Sequence, residues 1–548
     1  MIETIVKEEM IARYTQSGLW KNKLWTDYIR ENAERFPSRE AVVDRKHRIT
    51  FNQYKKQVDQ MAVNLLHLGI EKEDRIGLQL PNWWEFICLR FALHRIGAIS
   101  IPLPPDWRQR EIGYILKETE AKAYFIPEAF RNFDYIEMAE NLWKELPKLK
   151  KVVVVSGNLS KLSQRMVPFD SLLSSASNRE LEKLNSIQIS PNEVDMIPSS
   201  SGSTAFPKLV LRTPNQVEAM VVPIAERHAL TAADTILGMA PITRGVGYLA
   251  VATALVSGAK LILQERFLPE DTLKLITEER VTLALGVPTE IIKLLDFPDL
   301  KKYDFSSLRC FTNGGAALPP SVAEELALKL NCKVMSGYGA VEGGLPTWTS
   351  LDDPPEKAYT TVGRTLPGME MAIFDEAGTP VPPGETGEVV YRGANCSLGF
   401  YKNIEDYRKL YDSQGWFFSG DLGQIDKDGY LKIVGRKKEI IIRGGANISP
   451  QEVEEILQTH PKIEQVAVVK MPDKVMGEKA CAYVILKHNQ TITFEEIISF
   501  LKERNLATYK LPERLEILKA FPMTASEKVL KKELEKDIVL KLTKEGVN

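Results

Sequence analysis

The stretch RIGLQLPNWWEFICLRFALHRIGAISIPL, residues 75–103, decides the fold. Arg75–Leu80 is a short apolar run, Trp83–Gly97 carries apolar side chains at helical spacing, and Ala98–Leu103 is a second apolar run ending at prolines. Such a strand–helix–strand unit predicts parallel strands covered by helices. Working outward, Phe51–Leu68 reads as a helix and Ala123–Ile126 as a further strand. The same rhythm returns at Thr235–Pro241, Lys260–Gln264, Leu283–Val287 and Cys310–Asn313. From about Gly363 the texture changes to short strands separated by turns such as Asp375–Gly378, Pro382–Gly384 and Asp426–Gly429. After Arg436 a small α+β pattern begins, with strands at Ile440–Ile442, Val466–Lys470 and Ala480–Leu486 and helices at Pro450–Thr459 and Phe494–Arg504. The expected fold class is α/β. A large N-terminal domain (1–436) holds stacked mixed or parallel sheets with helices plus a small barrel-like sheet. A small mobile α+β domain (437–548) follows, with a hinge at the charged run Arg436–Lys438. The alternating charges of Lys528–Lys536 read as a solvated helix.

Bulk properties narrow the function classes. At 548 residues the chain exceeds what one core supports, and 44% hydrophobic with 26% charged residues is ordinary for packed globular domains. A net charge of −2, from 71 basic and 73 acidic residues, gives no general attraction to nucleic acid or anionic membrane. The five cysteines (88, 310, 332, 396 and 481) are scattered and form no CxxC pair, and the six histidines form no HxH or HExxH. A disulfide framework and a transition-metal site are therefore not expected. The N-terminus MIETIVKEEM is charged where a signal peptide is apolar, and Tyr248–Leu263 is broken by Ser257, Gly258 and Lys260. That run falls short of the roughly 20 apolar residues of a membrane-spanning helix. A soluble cytoplasmic protein is expected, with no nucleic-acid partner and no membrane insertion.

Four clusters carry chemistry. Ser199–Lys208 (SSSGSTAFPK) packs hydroxyls, a glycine and a lysine into one loop after an apolar stretch. Hydroxyls and free backbone N–H groups can wrap a triphosphate, with lysine adding a mobile positive charge. Taken alone it is equally a Ser-rich surface loop, and it lacks the GxxxxGK[ST] frame. Asn313–Ala316 (NGGA) and Met335–Glu342 (MSGYGAVE) offer glycines for close approach to a flat ligand. In the second, Tyr338 supplies a stacking ring and Glu342 a hard oxygen for Mg²⁺; alone, these are strand-end turns. In Gly415–Asp421 and Asp428–Arg436, Asp421 could take both hydroxyls of a ribose and Arg436 could reach the same sugar or a phosphate; alone, they read equally as a turn-stabilising Asp and a surface Arg. Finally, Phe521–Lys528 presents Lys528 on a loop, where a lysine is solvated by default. Gly245–Ala250 also spells GxGxxA, the outline of a dinucleotide fingerprint, with Glu265 near the place of its acidic residue.

Together and in this order, the clusters resemble the adenylate-forming superfamily of acyl-CoA synthetases, aryl-acid–AMP ligases, luciferases and peptide-synthetase adenylation domains. The resemblance runs from about Trp25 to Leu534. It implies that Ser201, Gly202, Ser203, Thr204 and Lys208 hold the β- and γ-phosphates of ATP. It implies that Gly315, Ala316 and Tyr338 line the adenine site, and that Gly314, Gly337, Gly339 and Val341 also border the nucleotide. Glu342 is then the Mg²⁺ ligand, and Asp421 and Arg436 hold the ribose. Lys528 bridges the substrate carboxylate and α-phosphate, Lys438 is the hinge, and Gly444, Gly445 and Ala446 run along a thiol tunnel. The implied catalytic residues are Lys528, Glu342 and Lys208. The sequence departs from the family at Ala205 (usually Gly), Val341 (usually Thr) and Glu527 (usually Gly).

Local texture is most similar to 2,3-dihydroxybenzoate–AMP ligases, through Leu80-Pro-Asn, Phe133-Asp-Tyr, Leu211-Arg-Thr, Glu342-Gly and Tyr509–Arg514. Their pocket motif has His-Asn where this chain has Arg244-Gly245, which argues against dihydroxybenzoate itself. Arg244 reads either as a structural cap or as a partner for a polar group of the substrate. The pocket's other expected walls, Gly245, Val246, Val287, Gly314, Gly337 and Val341, are small or apolar and suit an aryl, alicyclic or medium aliphatic acid. The expected partners are a small carboxylic acid and coenzyme A, or alternatively a carrier-protein thiol. A nucleotide-binding inactive or regulatory relative, or a nicotinamide oxidoreductase using Gly245–Ala250, is the reading of another class.

Overall fold

The computed structural model describes residues 2–155, 162–200, 207–444, 446–504, 506–524 and 528–545. The chain divides into two compact units. The first comprises Met1–Leu318, Val322–Glu370 and Arg392–Phe417; the second comprises Pro319–Ser321, Met371–Tyr391 and Phe418–Asn548.

Two sheets organise the first unit. The larger has nine strands in the order Arg364–Thr365, Gly344–Trp348, Lys333–Ala340, Cys310–Asn313, Leu283–Gly286, Thr235–Gly238, Lys260–Leu263, Glu40–Val43 and Arg48–Thr50. Its six strands from Lys333–Ala340 to Glu40–Val43 are parallel, and the outer ones are antiparallel. The smaller runs Ile99–Pro102, Arg75–Leu78, Ala123–Pro127, Lys151–Val155 and Met166–Pro168, parallel throughout. The expected strand–helix–strand unit is present, with the helix Trp84–Arg95 between its strands. That helix is buried almost all round. Its one fully interior cation, Arg90, is held by Asp195 at 2.7 Å, as an unpaired interior charge could not be. The apolar run Tyr248–Leu263 resolves into the buried helix Gly245–Ser257 and the strand Lys260–Leu263, divided by Gly258 in the left-handed region (φ +70°). Among the described residues no helix is long and apolar enough to cross a membrane.

The turn-rich part of the second unit is a four-stranded sheet in the order Met369–Phe374, Gly387–Gly393, Phe417–Ile425 and Leu431–Arg436. The α+β part has a five-stranded sheet: Ala446–Ile448, Ile441–Arg443, Gly477–Leu486 and Ile463–Asp473 in order, with Arg514–Ile517 also paired to Gly477–Leu486. Helices Pro450–Leu457, Phe494–Glu503 and Lys531–Lys544 belong to it. The last corrects the expectation of a solvated helix over 528–536. It starts at Lys531, and Leu534, Ile538 and Leu542, spaced four apart, are buried against Ala467, Val469, Cys481 and Tyr483. The charges occupy the other faces and mask the apolar stripe.

All five cysteines are free: Cys88, Cys310, Cys396 and Cys481 are buried and Cys332 half-buried. Burial pushes every one of these thiols upward in pKa, Cys332 and Cys396 to about 12.

Candidate active site

The site of the first unit is built at the carboxyl ends of parallel strands. Thr235–Gly238 lies between Lys260–Leu263 and Leu283–Gly286, so strand order reverses around it, where open α/β sheets offer a crevice. Register aligns Gly238 with Leu285, Gly286 with Asn313, and Asn313 with Ser336. The next residues, Val287, Gly314 and Gly337, therefore leave the sheet side by side. Across from them starts the helix Gly245–Ser257. A Cβ on Gly314 would lie 2.8 Å from Val246 Cγ2, and one on Gly315 3.7 Å from Val287 Cγ1. Both valines thus stand directly over the paired glycines, and Gly315 adopts φ +82°.

The NGGA loop is held from below. The buried Asn313 donates from Nδ2 to Ala316 O at 3.0 Å, and Gly314 N donates to Gly286 O at 3.2 Å. Gly337 is covered by Trp348, whose ring a Cβ at that position would overlap; on Gly339 it would overlap Gly344 O. One layer down, the buried His228 bridges Ile224 O (2.8 Å from Nδ1) and Thr312 Oγ1 (2.7 Å from Nε2), one strand residue before Asn313. Burial lowers the His228 pKa to about 4, so the imidazole is neutral at physiological pH.

Glu342 sits in the turn of the hairpin Lys333–Ala340/Gly344–Trp348. Three residues that sequence reasoning did not single out by role fix this turn. Ser397 Oγ donates to Glu342 O, the Arg212 guanidinium to Val341 O, and Tyr407 OH to Ser397 O. Arg212 also reaches Asn395 O at 3.4 Å, and Gln216 Nε2 donates to the same carbonyl. Burial lowers the Arg212 pKa, while Tyr407 and, more weakly, Glu342 act to raise it. The side chain of Val341 packs against Val210, Phe400, Ile404 and Tyr407. Lys208 approaches the same cluster: its Nζ stands 5.0 Å from the Phe400 ring centroid. It is presented by the short ladder pairing Ser200 with Lys208 and Ser199 with Leu209. Ser201, Gly202, Ser203, Thr204 and Ala205, the rest of the expected phosphate loop, lie outside the described residues, as do Gly445 and Glu527.

Arg244 precedes the helix Gly245–Ser257 as its N-cap residue, without a capping side-chain bond. Its guanidinium instead pairs with Asp106 at 2.9 and 3.1 Å. A cation at a helix N-terminus opposes the helix dipole, and the carboxylate offsets it. Asp106 is presented by a fixed arch. Gln79 Nε2 donates to Pro104 O and Trp107 O at 2.9 and 3.0 Å, and Tyr135 OH to Pro105 O at 2.5 Å. Gly245–Ala250 is thus the first turn of a buried helix, and Glu265 is engaged by Arg45 at 2.7 Å and by Trp83 Nε1.

In the second unit, Asp421 and Arg436 are directly opposed across two antiparallel strands, with Nε to Oδ1 3.1 Å. Asp421 is largely shielded (13% exposed) and Arg436 open (62%). Asp421 N donates to Ser419 Oγ, and Gly420, at φ +73°, donates its N–H to Glu388 Oε1 at 3.0 Å. Lys438 is exposed in the turn after Arg436. Gly444 (φ +56°) turns between Ile441–Arg443 and Ala446–Ile448. Lys528 is exposed on a loop closed by Thr524 N to Lys528 O (2.7 Å), Lys528 N to Thr524 Oγ1 (3.0 Å) and Leu530 N to Pro522 O (2.7 Å).

Of the expected residues, Val246 and Val287 meet Gly314 and Gly315 at the strand ends beside Gly337, Lys208 and Val341 share the Phe400 cluster, and Tyr338, Gly339 and Glu342 lie along the one hairpin that follows Gly337. Asp421 and Arg436 form a second grouping. Among the described residues, no three His, Cys, Asp or Glu side chains gather as a cation cage. A single half-buried carboxylate on a fixed turn fits Mg²⁺, which is commonly held by one or two carboxylates plus phosphate oxygens.

A family model described as AMP-binding enzyme matches residues 29–401, and one described as AMP-binding enzyme C-terminal domain matches residues 452–528. The medium-chain fatty-acid–CoA ligase of Escherichia coli (strain K12) is 35% identical, over 98% of this chain and 94% of its own length. The 2,3-dihydroxybenzoate-AMP ligase of Bacillus subtilis (strain 168) is 31% identical, over 98% and 97%. Among solved structures, the anthranilate CoA ligase AuaEII in complex with anthranoyl-AMP superposes with a TM-score of 0.85 over 95% of this chain and 98% of that one. At 22% identity, that is a likeness of fold.

Proposed function

Because the chain belongs to the AMP-binding family of adenylate-forming ligases, we propose that it activates a monocarboxylic acid with an apolar tail or ring and passes the acyl group to coenzyme A. The observation that carries this reading is the pocket wall: Val246 and Val287 stand over Gly314 and Gly315, while Arg244, the nearby cation, is neutralised by Asp106. Such a wall offers dispersion contacts and no spare charge for a second anionic group. A relative of 35% identity named as a medium-chain fatty-acid–CoA ligase supports the same substrate class and acceptor.

The chemistry assigns each group a task. The acid's carboxylate, ionised at neutral pH, attacks the α-phosphorus of ATP, and pyrophosphate leaves. Repulsion between two anions is the barrier, so fixed positive charge and N–H donors lower it. Lys208 and the loop Ser201–Thr204 hold the β- and γ-phosphates, and Lys528 supplies charge at the reacting carboxylate. Gly315, Ala316 and Tyr338 form the adenine platform, with Gly337 and Gly339 keeping it flat. Asp421 and Arg436 take the ribose hydroxyls. Glu342 would hold Mg²⁺, which supplies charge neutralisation on the phosphates when bound. In the second half-reaction a thiol attacks the adenylate carbonyl and AMP leaves. Lys438 is the pivot between the two half-reactions, at the boundary of domains 1–436 and 437–548, and Gly445 borders the thiol's path.

The test is acid-dependent pyrophosphate exchange across aliphatic, alicyclic and aryl acids, followed by detection of the CoA thioester. Octanoate-like or simple aryl acids are expected to exchange and to yield thioesters, whereas dicarboxylates are not. Exchange without any CoA thioester would move the acceptor to a carrier-protein thiol. The relative named as a 2,3-dihydroxybenzoate-AMP ligase, at 31% identity, supports that second reading.

A further inference from the structure

The residues around Lys438 are fastened unequally. On its N-terminal side, Lys437 is fixed to the four-stranded sheet: its N–H donates to Gly420 O at 2.9 Å and its Nζ pairs with the buried Glu388 at 2.8 Å. On its C-terminal side, Glu439 pairs at 3.0 Å with Lys531, the first residue of the last helix. Lys531 Nζ lies also 2.8 Å from Glu454 on the helix Pro450–Leu457. Lys438 itself is exposed and makes no ion pair among the described residues; only its carbonyl is reached, by Lys470 Nζ at 3.4 Å. Two backbone bonds, from Glu439 N and Ile440 N to Arg436 O, and one side-chain bond, from Ser449 Oγ to Val434 O, span the pivot, and a rotation there must break them.

Lys531 stands out for a second reason. It opens a helix, and a cation in the first turn works against the helix dipole. Helix formation does not account for it; the carboxylates of Glu439 and Glu454 do. The same residue is the exit of the closed loop carrying Lys528, three positions earlier. A half-buried ammonium thus joins two things: the segment just past the pivot and the base of the loop that presents the exposed lysine.

We infer that Lys531 is a positioning residue, tying the Lys528 loop to the segment that follows a one-residue pivot at Lys438, so that both move as one body. The inference rests on the activity proposed above. Without the ammonium, Glu439 and Glu454 face each other uncompensated, and the loop base is released. Loss of aim at Lys528 affects the half-reaction that uses Lys528 and spares the one that does not.

The test compares Lys531→Met and Lys531→Arg with the full-length parent in both half-reactions, and measures amide hydrogen exchange. Lys531→Met is expected to slow acid-dependent pyrophosphate exchange about tenfold or more, as misplacement of a reacting group does. It should leave thioester formation from supplied adenylate within about twofold and accelerate amide exchange in 522–530 but not in 463–486. Lys531→Arg should recover most of the loss. Equal losses in both half-reactions, or unchanged amide exchange in 522–530, would overturn the inference. Should Lys531→Met not fold, Glu439→Gln takes its place in the same assays: faster amide exchange in 522–530 with a selective loss of pyrophosphate exchange is expected, and equal losses or unchanged amide exchange would overturn the tether. A parent without acid-dependent exchange would defeat the proposed activity, whereas the amide-exchange arm still judges the tether.

Discussion

The two units hold their functional residues in opposite ways. In the first, the glycine-lined edge is fixed from all sides: Trp348 covers Gly337, Asn313 holds Ala316 O, and Ser397 and Arg212 hold the carbonyls of Glu342 and Val341. In the second, Asp421 is shielded but the cations are open: Arg436 is 62% exposed, and Lys438 and Lys528 lie on turns. A rigid edge suits recognition of a flat base and an apolar tail, where sub-ångström fit matters. Exposed cations suit groups that must exchange partners during a reaction. The contrast teaches that shape is stored in one unit and movable charge in the other.

Lys528→Ala carries the largest expected effect. Removal of one electrostatic stabiliser is expected to cost about 10²–10³ in adenylate formation. Thioester formation from supplied adenylate and the thermal midpoint should stay near parent values. A matching loss of stability would make Lys528 structural and dissolve the contrast.

Gly337→Ala tests the rigid side. Its Cβ would overlap the Trp348 ring, so a destabilisation of about 3 kcal/mol is expected in denaturant unfolding. Pairing it with Trp348→Leu should return part of the loss, since the two residues share one contact. An unchanged midpoint for the single variant would show that the edge yields.

His228 sharpens the same side through pH. Its folded pKa of about 4 lies below the usual value near 6.5, so the unfolded chain takes up the proton first as pH falls. The stabilisation is complete above about pH 6.5 and is lost on descent toward pH 4. Between pH 7 and 5 the residue should account for about 2 kcal/mol of lost stability. In His228→Gln the pH-stability curve should be flatter over that window; an identical curve would remove His228 from the account.

Smallest is Arg436→Ala. As an exposed partner of Asp421, Arg436 should contribute no more than about 0.5 kcal/mol to stability, while the KM for ATP rises. A stability loss well above that would place it with the fixed residues instead.

Much of this was legible in the sequence. Cys310–Asn313 is a strand as read, a short segment of Cys, Phe and Thr ending just before a glycine pair. Lys260–Leu263 and Leu283–Gly286 match to within one residue at their ends. Val246, Val287 and Gly314 were expected as neighbouring pocket walls on the strength of the family resemblance, and a Cβ on Gly314 would meet Val246. The supports were not. Arg212 lies 129 residues from Val341, Ser397 lies 55 from Glu342, and Asp106 lies 138 from Arg244. No local pattern joins such pairs, and a lone serine or tyrosine carries no mark of the carbonyl it will meet. The last helix was misread for another reason: its lysines and glutamates outnumber the three apolar residues that bury it.

The cysteines carry a consequence of their own. An adenylate-forming ligase makes a mixed anhydride that any accessible thiolate can intercept. Here each of the five thiols is buried or half-buried and held protonated, with Cys332 and Cys396 near 12. Free sulfur is thus present throughout the chain, yet buried and protonated, in a form that makes each thiol a poor target for the anhydride.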